Sequence, residues 1–330
     1  MARVSLSQAI KIVKGTIHSY IANRPMVVSY EVTLSCNCNC RHCDLGGFVK
    51  DEKQATPEEY GDIARCLKPL AVQISGGEPL LRKDIAAIVK AIRQAGPEYA
   101  ILVTNGWLLN ESRYLRLREA GVSQFSVSLD FPDERHDDFR QRPGLYKRLE
   151  QTVPRLAKLG FRDIILNTAI TKANVREILP LARKAADWGV DISYSAYTAL
   201  RTKNEDYCLN STDDLETLRR AIDDLMTLKK QGTYVANPEL TLRDTLKFFE
   251  HGYMPNCRAG IKFLVVMPDG SLIPCSLHRQ KYATRKEMIE EFSRHNRCSS
   301  CYVAIRSYSE MSLQTHARNL PKYVRQMVLH

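Results

Sequence analysis

The chain has 330 residues, 44% hydrophobic and 26% charged, with a net charge of +11. That is apolar enough for one large core and a smaller one, and too apolar for a disordered chain. No apolar run approaches the roughly 20 residues that cross a bilayer, and the N-terminus lacks a signal peptide's apolar block. Seven of the eleven excess positive charges sit at the two ends. Residues 1–30 carry Arg3, Lys11, Lys14 and Arg24 with no acid, and residues 302–330 carry Arg306, Arg318, Lys322 and Arg325 against Glu310. The middle is nearly balanced, so no nucleic-acid partner is expected; the basic ends suit an acidic partner or an anionic membrane. The expected location is cytoplasmic, with peripheral membrane contact as the alternative.

In chain order, residues 1–24 form an N-terminal amphipathic helix: Leu6, Ile10, Val13, Ile17 and Ile21 recur at helical spacing over 4–22, and Asn23-Arg24-Pro25 ends the run. Packing of this helix against the rest of the chain is the expectation; a seat on lipid is the alternative. From 25 to 200, strands predicted at 27–34, 70–74, 99–103, 123–129, 163–170 and 190–197 alternate with helices near 57–67, 82–95, 109–120, 144–159 and 174–188. Thr56-Pro57-Glu58-Glu59 is a clear helix start. Repeated βα units predict an α/β fold, a parallel sheet clad in helices. Right-handed crossovers curl six units into a partial (β/α)6 TIM-like barrel, with reactive groups at the C-terminal strand ends. Residues 201–256 read as a helical connector, opened by Ser211-Thr212-Asp213-Asp214. Residues 257–330 change texture to short strands, a tight turn at Met267-Pro268-Asp269-Gly270 and cysteines. They end in a helix carrying Leu313, Ala317, Leu320, Val324 and Met327.

The ten cysteines are too many for chance packing, and a disulfide framework is not expected in a cytoplasmic chain. Cys36-x3-Cys40-x2-Cys43 follows directly on the first strand, with Cys38 between. Three thiolates can hold three irons of a cubane and leave the fourth open. A structural zinc site is the competing reading, although only Cys38 is near enough to supply a fourth ligand. Cys257, Cys275, Cys298 and Cys301 form a second set, for which zinc also stays open. Cys66 and Cys208 stand alone and read as small packed side chains.

Further signals follow the strands. The second strand ends in Ser75-Gly76-Gly77-Glu78-Pro79, the third in Thr104-Asn105-Gly106, and the fourth in Ser128-Leu129-Asp130, with His136-Asp137-Asp138-Phe139-Arg140 and Gly144 beyond. Together with the first cysteines these resemble the CxxxCxxC, GGEP, TNG and SxD…HDxxR…G motifs of the radical S-adenosylmethionine (SAM) superfamily. The spacing of Cys257, Gly270, Cys275 and Cys298-x2-Cys301 resembles its SPASM subgroup in the shortened, twitch form. The resemblance spans residues 26–301. It implies a radical SAM barrel with a small C-terminal cysteine-rich twitch/SPASM-like domain at 257–330. Cys36, Cys40 and Cys43 would hold a [4Fe–4S] cluster, and Ser75, Gly76, Gly77, Glu78, Ser128 and Arg140 would hold SAM. Cys257, Cys275, Cys298 and Cys301 would hold an auxiliary [4Fe–4S] cluster. His42 stands where the family often has an aromatic, as a ring near the adenine.

The implied reaction is reductive cleavage of SAM to a 5′-deoxyadenosyl radical that takes hydrogen from a substrate, fed by a one-electron donor of flavodoxin or ferredoxin type. With only some 25 residues before the first strand there is no room for a leader-binding domain, so a small molecule or lipid is expected over a peptide. A peptide maturase, or a non-catalytic iron–sulfur or zinc scaffold, is the alternative. Asn167, Tyr194, Tyr197 and Arg201 are placed at the mouth by position alone, and no catalytic acid or base is assigned.

Overall fold

The computed structural model describes residues 6–232, 235–312, 314 and 315. Helix α1 (Leu6–Ile21) leads into strand β1 (Val27–Glu31), after which strands and helices alternate: α2 (Pro57–Leu67), β2 (Ala71–Ser75), α3 (Ile85–Gln94), β3 (Tyr99–Thr104), α4 (Glu111–Ala120) and β4 (Gln124–Ser128). Next come α5 (Arg135–Arg140), α6 (Leu145–Ala157), β5 (Ile164–Ile170), α7 (Ile178–Asp187) and β6 (Asp191–Ala196). The 201–256 stretch holds two helices, α8 (Thr212–Lys230) and α9 (Glu239–His251); α8 closes at Gln231-Gly232, where Gly232 takes a φ of +87°, and Pro238 caps the start of α9. Strands β7 (Phe263–Val266) and β8 (Leu272–Ile273), then short helices α10 (Arg285–Met288) and α11 (Ala304–Ser309), complete the described chain.

The strands form one eight-stranded sheet in the order β6-β5-β4-β3-β2-β1-β7-β8. Strands β1 to β6 are parallel in sequence order, as the βα alternation predicts. Strand β7 adds in parallel to the free side of β1, Val27 facing Phe263, and β8 turns back antiparallel over Met267–Gly270. The cysteine-rich segment thus contributes strands to the barrel sheet itself.

Alternation along the strands sorts apolar from polar. Val28 and Tyr30 of β1, and Val72 and Ile74 of β2, bury into the core with Tyr60, Ala64 and Leu67 of α2. The intervening Ser29, Glu31, Gln73 and Ser75 point inward to a cavity. Thr56 caps α2 with a full capping box and Pro57 at the first position, as read from the sequence. Helix α1 lies at the opposite end from the strand mouths, packing Ala9 and Ile12 on Tyr99, Ala71 and Ile101 at the starts of β2 and β3. The side it buries is Ala9, Ile12, Thr16 and Ser19; of the expected stripe, Leu6, Ile10, Ile17 and Ile21 are exposed and Val13 is half-buried. A shared face can be read from periodicity, but which face is covered depends on the bulk the neighbouring strands tolerate. The apolar run from Leu313 to Met327 lies outside the described residues.

Candidate functional site

The site is built where β1, β2, β3 and β4 end. Beyond Glu31 the backbone crosses the end of β2 at very short range. Gly77 N–H donates to Thr33 O (2.8 Å) and Glu78 N–H to Ser35 O (2.9 Å). A Cβ on Gly76, whose φ is +125°, would lie 2.1 Å from Thr33 O, and one on Gly77 2.2 Å from Ser35 O. The glycine pair is therefore demanded by the segment that carries the first cysteines. Glu52 fixes that segment from the other side, accepting from Thr33 Oγ1 (2.6 Å) and Leu34 N–H (2.5 Å). Cys36 N–H donates to Gly47 O (2.7 Å), closing a loop that holds all four early cysteines.

Each of Cys36, Cys40 and Cys43 meets a side-chain N–H donor from a distant part of the chain, and Cys43 also accepts from Leu45 N–H (3.4 Å). Asn105 Nδ2 lies 3.9 Å from Cys36 Sγ, Arg140 Nη1 3.8 Å from Cys40 Sγ, and Arg201 Nη2 3.7 Å from Cys43 Sγ. Cys38 is buried between Cys36 and Cys40; its thiol bonds to both and lowers both, Cys40 to about 6 with help from Arg140. Burial pushes the Cys43 thiol up. Buried thiols facing N–H donors, those of Cys36 and Cys40 with lowered pKa, are the donor chemistry of an iron–sulfur cluster, so the residues fit that group. Among the described residues no three His, Cys, Asp or Glu side chains are drawn together to share one metal ion. A cubane makes no such demand, because each thiolate bonds its own iron.

Behind the thiols lies a buried charge network. Arg140 Nε donates to Asp130 Oδ2 (2.6 Å), and Asp130 N–H to His136 Nδ1 (3.1 Å). Burial alone would raise Asp130, but the Arg140 guanidinium outweighs it and holds the carboxyl below its ordinary range. Burial drives His136 down to about 3 and His42 to about 4, so both rings are neutral. His42 stacks flat on Phe139, centroids 4.5 Å apart. Glu78 is fully buried, with Oε1 accepting from Leu80 N–H (3.0 Å) and Thr104 Oγ1 (2.7 Å), and Oε2 from Asn105 N–H (2.8 Å). Burial raises it to about 7. It thereby ties the Thr104-Asn105-Gly106 turn to the end of β2 and aims Asn105 at Cys36. Ser128 is buried at the end of β4, opposite Asn167 of β5.

A cavity of about 190 Å³ opens beside Cys43, Ser75 and Gly76, with Ser29, Glu31 and Gln73 on the barrel side and Ser276 and Ile305 on the other. Glu31 is paired with Arg279 (3.0 Å). Arg201 stands in its wall and ties together two distant segments, through Cys43 and Asp44 (2.6 Å) on one and the Ser276 carbonyl (3.3 Å), next in sequence to Cys275, on the other. Of the other residues placed at the mouth by position, Tyr194 turns into the core with its hydroxyl on Ile178 O (2.7 Å), and Tyr197 donates to Asn204 O (2.8 Å).

The second cysteine set also converges. Cys257 and Cys298 are hydrogen-bonded; this contact, with His278, brings Cys298 down to about 4. Burial raises Cys275 to about 12 and also raises Cys301. The fully buried Arg306 holds this loop, donating to Cys301 O (2.5 Å), Met254 O (2.8 Å) and Pro255 O (2.7 Å) and pairing with Glu310 (2.8 Å). The structure thus brings together both predicted thiol sets. Asp130, Arg279, His278 and Arg306 were not singled out for these roles by the sequence reading; Asp130 alone had a signal, standing next in line after Ser128.

Three comparisons bear on this arrangement. The family model of the radical SAM superfamily matches residues 30–185. The AdoMet-dependent heme synthase of Methanosarcina barkeri is 28% identical over 284 residues, 77% of this chain and 78% of its own. The GTP 3′,8-cyclase of Aquifex aeolicus is 27% identical over 289 residues, 82% of this chain and 88% of its own. Among solved structures, Streptococcus suis SuiB bound to precursor peptide SuiA superposes with a TM-score of 0.63 at 18% identity. That match covers 82% of this chain and 65% of the SuiB chain, just under two thirds, and shows likeness of fold. With the thiol loop, the glycine turn and the barrel in agreement, residues 30–185 match the radical SAM superfamily, enzymes that work with a [4Fe–4S] cluster and SAM.

Proposed function

We propose that this enzyme cleaves SAM at a cluster held by Cys36, Cys40 and Cys43 and acts on a small polar molecule bound in the barrel. When bound, the cluster and SAM supply one-electron cleavage of the sulfonium and hydrogen-atom abstraction. The observation that carries the reading is the set of three thiols each facing an N–H donor, Asn105, Arg140 and Arg201, at the ends of parallel strands.

The chain's own residues do the rest. Asp130 keeps Arg140 charged and oriented, so that its guanidinium serves Cys40 and, with Ser128, the carboxylate of SAM. Gly76 and Gly77 bring backbone groups of the β2 end to the methionine part of SAM beside Ser75, and Glu78 locks that turn to Asn105. Cys257, Cys275, Cys298 and Cys301 supply four thiolates, enough to saturate an auxiliary [4Fe–4S] cluster, in a twitch/SPASM-like segment. A saturated cluster exchanges electrons and does not ligate substrate.

A small molecule is favoured over a peptide by the cavity, whose barrel side is the polar set Ser29, Glu31, Gln73 and Ser75. The names of the heme synthase and the GTP cyclase, which align with most of this chain, point the same way. Radical SAM enzymes need an electron donor, for which a flavodoxin or ferredoxin is proposed. Electron paramagnetic resonance (EPR) of the anaerobically reconstituted, reduced protein tests the reading. A cluster signal that SAM perturbs should persist when Cys257, Cys275, Cys298 and Cys301 are all changed to Ala, and vanish in Cys40→Ala. A SAM-sensitive signal that survives Cys40→Ala sinks the assignment.

A further inference from the structure

Helix α1 wears its larger aliphatics on the outside. Leu6, Ile10, Ile17 and Ile21 are 55, 47, 48 and 79% exposed, while the buried face is the smaller set Ala9, Ile12, Thr16 and Ser19. At 3.6 residues per turn the four exposed aliphatics fall within an arc of about 60°. Lys14, His18 and Lys11 occupy the adjoining arc, all exposed, and the first 30 residues contain no acid. The helix lies at the N-terminal ends of β2 and β3, away from the cysteine loops. It covers the starts of those strands through Ala9 and Ile12 and is not a wall of the cavity.

We infer that α1 seats the protein on an anionic lipid bilayer, the four aliphatics entering the headgroup boundary and Lys11 and Lys14 meeting phosphates. An apolar stripe beside an acid-free basic edge is the layout of an interfacial helix. Charge complementarity favours lipid over a second copy of this chain, since a two-fold contact through α1 sets Lys11 and Lys14 against their own counterparts. Aliphatic contact also sets the bilayer apart from free phosphate, which has no use for the stripe. The mouth of the barrel then faces away from the membrane. The inference does not depend on the SAM chemistry.

The test is flotation of the full chain with phosphatidylcholine vesicles and with mixed phosphatidylcholine–phosphatidylglycerol vesicles. Binding is expected to the mixed vesicles, weakened by salt, and reduced by about tenfold or more in the Ile10→Asn/Ile17→Asn/Ile21→Asn variant. That variant keeps the circular dichroism and melting midpoint of the parent because the changed side chains are exposed. Lys11→Gln/Lys14→Gln should weaken binding to the mixed vesicles. Absence of binding to either vesicle, or binding untouched by the triple variant, overturns the inference. So does a dimer in vesicle-free solution that the triple variant renders monomeric, because the face then belongs to a second copy.

Discussion

Arg201, Arg140 and Asn105 each reach a different thiol of the first site, and each does so because a partner fixes it: Asp44 for Arg201, Asp130 for Arg140, Glu78 for the backbone of Asn105. Hydrogen bonds to cluster sulfurs raise the potential. Arg201→Met should therefore shift the midpoint of the first cluster negative by on the order of 50 mV, about 1 kcal/mol for one electron, with Arg201→Lys in between. Potentiometric EPR reads this, and an unchanged midpoint removes Arg201 from the site's electrostatics. Gly77→Ala should cost about 1–3 kcal/mol in thermal or denaturant unfolding, since its Cβ would meet the Ser35 carbonyl at 2.2 Å. Stability equal to the parent would show that the two loops can part.

Glu78 makes a pH prediction. Its carboxyl is raised to about 7 in the folded chain by burial, against an ordinary value of 4.5. Between those values the unfolded chain has lost a proton that the folded chain keeps. Unfolding free energy should thus fall as pH rises from about 4.5 to 7, by at most about 1.4 kcal/mol per pH unit, and level off above. Glu78→Gln should be less stable at low pH and lack this slope; a slope that persists in the variant would assign it to another group.

Among the elements, the strands were legible because their two faces differ in kind. Val28 and Tyr30 alternate with Ser29 and Glu31, and that period also gave the barrel its polar lining. Helix α2 was legible at its start through Thr56 and Pro57. The connector was read as one helical stretch, and the close of α8 at Gln231-Gly232 makes it two. Helix α1 was misread in orientation: Ala9 and Ile12 meet the strands beneath it, and most of the aliphatic stripe faces outward. Short α11 shows what sequence pattern cannot supply. Arg306 looks like an ordinary basic residue, yet its burial leaves three carbonyls and Glu310 dependent on it. Arg306→Met should destabilise the fold by about 3 kcal/mol or more and strip iron from the second cysteine set while the first set keeps its own. Full iron content in the purified variant would contradict this.

On the scale of the whole molecule, β7 beside β1 brings the two cysteine sets into one sheet-centred body, and Arg201 and the Glu31–Arg279 pair cross between them. The motifs pick out residues that the structure gathers at neighbouring strand ends, because each motif is local to one strand end. These cross-links join residues 158 and 248 positions apart and carry no local pattern. The most direct measurement of the central claim is 5′-deoxyadenosine and methionine formed from SAM by the reconstituted, reduced enzyme. The account predicts equal amounts of both from the parent, none from Cys36→Ala, Cys40→Ala or Cys43→Ala, and continued formation when the second cysteine set is replaced. Undiminished 5′-deoxyadenosine in the first three variants, or none from a parent with its cluster fully loaded, would contradict it.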